Sequence, residues 1–151
     1  MTEQGIEPAA VRVHGAVARA ATFTLVDLEA LPHLADLSRV AAAKSGRAVR
    51  VEDLLDAVEP LAAATHLTAI SRDGSYRASI PLSDAAASGW VAFATAGATA
   101  PGNTPLPTEQ GGPFRLTVAE GRTLCWNVKD VAELQVTIGP EPDDVPEAPP
   151  H

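Results

Sequence analysis

The amino-acid sequence predicts an α+β domain of strand-rich mixed sheets with short helices. Three observations carry this: apolar residues alternate with period two in several short stretches, helical spacing recurs only in brief segments, and the two patterns follow in mixed order rather than as regular β-α-β units. At 151 residues the chain suits one domain that buries its own core.

Residues 10–17, AVRVHGAV, set Val11 and Val13 on one face and Arg12 and His14 on the other, a strand that Gly15 can bend. In TLVDLEALP, Thr24 is an N-cap with Asp27 three residues on. Leu25, Leu28 and Leu31 recur at helical spacing there, and Pro32 stops a short helix. VEDLLDAVEP predicts a stronger helix: Val51, Leu54, Leu55 and Val58 form one apolar stripe, acids occupy the first turn, and Pro60 closes it. HLTAIS and SYRASI flank RDG, so Asp73-Gly74 is expected to supply the positive-φ residues of a tight hairpin turn. PLSDAAASG follows as a helix of one or two turns from a Ser83 cap to Gly89, and WVAFAT as a buried strand. Residues 96–113, dense in proline and glycine, read as a long loop of the kind that carries function. FRLTVA and VAELQVTI close the fold as strands, joined through the segment that holds Cys125. The domain is then 10–139, with 1–9 a flexible N-terminus and 140–151 an acidic, proline-rich disordered tail.

Against 11 basic residues stand 19 acidic ones, a net charge of −8, which repels nucleic-acid phosphate and makes nucleic acid an unexpected partner. The longest apolar runs, such as WVAFA, are too short to cross a bilayer, and no basic amphipathic helix is visible, so no membrane role is expected. A single cysteine and a polar opening, MTEQGIEPAA, predict a cytoplasmic protein. The basic residues are uneven. Arg39, Lys44, Arg47 and Arg50 fall in RVAAAKSGRAVR with no acid among them, a stretch that reads either as a solvated loop or as an anion site.

Generic catalytic signatures are absent: no G-x-S-x-G elbow, no phosphate loop ending in G-K-[ST], and no G-x-G-x-x-G. His14, His33, His66 and His151 are scattered singly, so no metal site is expected from the protein alone. Glu52, Asp53 and Asp56 open a helix, where the dipole accounts for them. Cys125, between Leu124 and Trp126, reads as a small packed side chain rather than a working sulfur.

In order, the chain presents a V-x-G-x-V strand, a T-L-x-D-L-x-A-L-P helix, a loop leading to GRAVRVEDLL, a D-G-x-Y hairpin, then GGPFRL and NVK. Over residues 11–138 this resembles the molybdopterin-binding domain of the sulfite oxidase family. The resemblance implies that family's molybdopterin-binding fold, holding a pterin-dithiolene molybdenum cofactor by its phosphate and its pterin edge. It assigns cofactor contacts to Arg115 of the G-x-P-x-R motif and to Asn127, Val128 and Lys129, with Arg47 of the cationic stretch flanking the same site. An Arg fork and a Lys point charge suit a phosphate, while backbone and amide groups read a flat heterocycle.

The sequence departs from the family in three places. Where catalytic members carry the cysteine that ligates molybdenum, this chain has Ala41 to Ala43, which offer no donor. Arg47 replaces the usual tryptophan with Ala48 in place of the following glycine, and Ala96-Gly97 stands for Asn-Gly. The expectation is a molybdopterin-binding-like domain that is not a sulfite-oxidase-type catalyst. Two alternatives stay open: a scaffold that binds no cofactor and acts through a protein or small-molecule partner, and a divergent molybdenum oxidoreductase. The expected ligand is the pterin cofactor or another small anion, with a protein partner possible in principle.

Overall fold

Two short runs of alternating apolar residues, one at each end of the domain, meet in the middle of one sheet. The computed structural model of the chain describes residues 10–34, 36–40, 46–94, 112–118 and 126–140. Strand β1 (Ala10–Gly15) pairs in parallel with β9 (Val131–Thr137), although their starts lie 121 positions apart in sequence. Around them, β2 (Ala21–Thr24), β5 (His66–Ser71) and β6 (Arg77–Pro81) pair antiparallel in the order β2-β1-β9-β5-β6. Val11, Val13, Leu134, Val136, Leu67, Ala69, Ala78 and Ile80 are buried on one face, as their period of two requires. On the other, His14 and Glu133 meet at 2.8 Å.

A second sheet, β3-β4-β7-β8, comprises β3 (His33–Leu34), β4 (Arg47–Arg50), β7 (Gly89–Ala94) and β8 (Arg115–Val118), all antiparallel. Part of the cationic stretch is therefore a sheet strand and not a solvated loop. Arg39 ends a single 3-10 turn, Leu37–Arg39, whereas Arg47 is buried.

Helix α1 (Leu25–Glu29) starts at the capping box read from the sequence: Thr24 Oγ1 accepts from the Asp27 N–H, and Asp27 accepts from the Thr24 N–H at 2.9 Å. Helix α2 (Val51–Val58) has the expected bounds and buries Val51, Leu54, Leu55 and Val58. Each such side chain contributes about 1.5–3 kcal/mol of burial. The helix stops because Glu59 turns left-handed, φ 57°, ahead of Pro60. Helix α3 (Leu82–Ser88) begins one residue before the expected Ser83 cap: it follows Pro81 directly, with no side-chain hydrogen bond at its start. Proline's restricted φ makes that abrupt entry easy.

The hairpin β5–β6 is present, but its turn is longer than the two-residue reversal expected. Only Gly74 has a positive φ, 75°, while Asp73 uses its carboxylate instead, accepting from Ser71 Oγ and the Ser75 N–H, both at 2.9 Å. The expectations for 1–9, Ala41 to Ala43, Ala96-Gly97 and most of the 96–113 loop, Cys125 and the tail from 141 lie outside the described residues. Among the described residues no helix is long and apolar enough to cross a membrane.

Candidate functional site

The GGPFRL and NVK motifs meet at one isolated β-bridge. Leu116 N–H donates to Val128 O at 2.9 Å, and Val128 N–H to Leu116 O at 3.0 Å. Leu116 and Val128 are fully buried toward the main core. Because side chains alternate, Arg115 and Thr117 of β8 and Asn127 and Lys129 of the facing segment take the other side, with Arg115 in register beside Lys129 and Thr117 beside Asn127.

Each of the four does something different. Asn127 Oδ1 accepts the Val118 N–H at 2.8 Å, standing in for a backbone carbonyl and extending the ladder by a rung. Its amide NH₂ is the donor end. Thr117 is 1% exposed, and its hydroxyl has no hydrogen-bond partner among the described residues. Arg115 is 7% exposed, and burial pushes its guanidinium below its ordinary value. It remains a cation at neutral pH, and a partly desolvated cation attracts an anion more strongly than a hydrated one does. Lys129 is exposed.

Lys129 also opens on a cavity. Asp130, in the left-handed region at φ 49°, turns the chain into β9. Arg72 clasps that turn twice: its backbone N–H donates to Asp130 O at 2.8 Å and its Nε to Asp130 Oδ1 at 3.0 Å. The clasp holds the β5–β6 loop beside Lys129 and leaves a cavity of about 390 Å³ lined by Ser71, Asp73, Tyr76, Asn127, Lys129 and Asp130. Hydrogen bonds from Ser75 and Ser71 hold the Asp73 carboxyl below the usual carboxylate range, so it is an acceptor at neutral pH. One cation, two carboxylates, hydroxyls, an amide and a phenol around one hollow suit a small polar heterocycle with donors and acceptors on its edge. Ser71, Asp73, Tyr76 and Asp130 are not in the set read from the sequence. The D-G-x-Y pattern contains Asp73 and Tyr76 and is read there as a hairpin turn, while Ser71 and Asp130 have no local signal.

Arg47 stands apart. It forms a buried ion pair with Glu29 of α1, each side chain 9% exposed, and its guanidinium lies over the Phe93 ring at 5.7 Å from the centroid. In the sheet it pairs with Ala94 of β7, while Arg115 pairs with Ala92 on that strand's other edge, so the two arginines flank β7. The structure thus brings Arg115, Asn127, Val128 and Lys129 together, and leaves Arg47 in the packing between α1 and β4. Among the described residues no group of three or more His, Cys, Asp or Glu comes close enough to hold a metal ion.

A family model described as an oxidoreductase molybdopterin binding domain matches residues 38–144, more than half of the chain. No curated protein matches. Among solved structures, the sulfane dehydrogenase SoxCD from Paracoccus pantotrophus is similar, with a TM-score of 0.69 and 21% sequence identity over 90% of this chain and 41% of that one. The present chain therefore spans less than half of that structure, and at this identity the likeness concerns the fold.

Proposed function

The chain belongs to the oxidoreductase molybdopterin binding domain family, and from that premise we propose that it binds molybdopterin in the cavity between the β5–β6 loop and the Asn127–Asp130 turn. The residues present fit the organic part of this group. Asp73 and Asp130 accept from the amino and N–H donors of a pterin edge, Asn127 donates to its carbonyl, and Lys129, with Arg115 in register beside it behind the cavity lining, supplies the charge for the phosphate. A cavity of about 390 Å³ lies within the usual range for small-molecule sites.

The same residues do not supply a metal ligand. Cys125 is the sole cysteine of the sequence, and Ala41 to Ala43 stand where the resemblance places the molybdenum thiolate. When bound, the cofactor supplies a two-electron redox centre. This chain's part is to hold the pterin and phosphate, not to complete the metal's coordination with a thiolate, so sulfite-oxidase-type catalysis is not proposed. The observation that carries the proposal is the Leu116–Val128 bridge, which sets the two motifs face to face, with Asn127 and Lys129 of the second lining the cavity.

Expression in a host that makes the cofactor, followed by pterin fluorescence and metal analysis of the purified protein, tests this. Pterin in equal amount to wild-type protein, lost in Lys129→Ala with unchanged circular dichroism, is the expected result; a clean apo wild type refutes it. The second reading, a scaffold without cofactor, draws on Asn127, whose Oδ1 already has a structural duty at Val118. It would be left standing by that apo outcome.

A further inference from the structure

Strand β5 ends on two different surfaces. Ser71 borders the candidate cofactor cavity, whereas Thr65, just before the strand, borders an open groove of about 520 Å³ between α2 and α3. At about 3.3 Å per strand residue the two sites lie roughly 20 Å apart. Leu55, Pro60, Leu82 and Ala86 supply apolar walls to this groove, and Glu52 and Asp56 stand one helical turn apart on α2 at its rim. Leu61, next to Pro60, is 46% exposed and prolongs the apolar surface. Glu52 is neutralised by Arg50 at 2.9 Å, and Arg50 also donates to Ala86 O at 3.4 Å. Asp56 has no ion pair among the described residues, and no Lys or Arg lines the groove among them.

We propose that this groove docks a short amphipathic, cationic segment of a second protein. Its aliphatic side chains rest on Leu55, Leu82 and Ala86, and a Lys or Arg faces Asp56. Charge selects this occupant. The chain's own tail carries Glu141, Asp143, Asp144 and Glu147 and no Lys or Arg, and a second copy brings a net −8, so both approach an acidic rim against repulsion. A helical segment with apolar anchors one turn apart fits a groove between two helices, and the charge fixes its direction and speeds its arrival. The distance from the Lys129 cavity leaves partner docking and cofactor binding compatible on one molecule.

The test is fluorescence anisotropy on the full chain with a labelled synthetic helical peptide carrying Leu and Lys at helical spacing, beside the same peptide with Glu for Lys. The Leu/Lys peptide should bind saturably. Its affinity should fall about tenfold or more in Asp56→Lys and in Ala86→Glu, and hold in Lys129→Ala. Because Asp56 is exposed, Asp56→Lys reads the rim even if Ala86→Glu disturbs α3. No binding, equal binding of the Leu/Glu peptide, or unchanged affinity in Asp56→Lys overturns the proposal. Self-association of the wild type that Ala86→Glu abolishes also overturns it, since a second copy then covers the groove.

Discussion

Asp73 accepts the Ser75 N–H and the Ser71 hydroxyl, and these bonds, the Ser75 backbone donor first, hold its carboxyl below the ordinary value of 3.8. A carboxyl depressed in the folded state contributes stability above its unfolded pKa and loses it as pH falls through the lower, folded value. Asp73→Asn should therefore be less stable than wild type near neutrality, and the difference should shrink below about pH 4. Urea unfolding across the acid range checks this, and a gap that does not change with pH contradicts it. The same residue shows the limit of reading single positions. Asp-Gly announced a turn correctly, but a positive φ and an acceptor carboxylate are equally good reasons for Asp in a turn. Arg47 is the converse case: its charge suggested an anion contact, and its surroundings give it Glu29 and the Phe93 ring.

Elements were legible where a local pattern was strong. The four-residue stripe, the acids of the first turn and Pro60 define α2, and the capping box defines the start of α1. Strands β2 and β4 were not legible, because each has only four residues and β4 begins and ends on arginine. At the junction of β1 with β9, Gly15 has φ 102°, and a Cβ there would lie 2.3 Å from the Val136 carbonyl oxygen. Gly15→Ala combines a strained backbone with a steric clash, so a loss of about 1–3 kcal/mol is expected. It should appear as a lower urea midpoint with an unchanged m-value; a change within about 0.5 kcal/mol would show that the two strands can part there at no cost.

On the scale of the molecule, the first and last strands share a sheet, so the segment that carries Arg115, Asn127 and Lys129 is tied to both ends of the domain. A ligand held by the folded chain and not by the unfolded one stabilises it by mass action, about 2.7 kcal/mol at a hundredfold excess over Kd. On the proposed function, calorimetry of cofactor-loaded protein should show a midpoint roughly 5–10 °C above the apo form. Coincident midpoints would contradict cofactor binding at a site built from the fold.

The sequence by itself determined the α+β class, the bounds of α2, the hairpin, and the two motifs that carry the family resemblance. Those are properties of period, cap and turn, set within a few residues of chain. Only the tertiary structure decided that β1 and β9 run in parallel, that Arg47 pairs with Glu29, and that Ser71, Asp73 and Tyr76 join Lys129 around one cavity. These depend on contacts between residues far apart in the chain, which no local pattern encodes. A polar side chain acquires its role from what burial and register set against it.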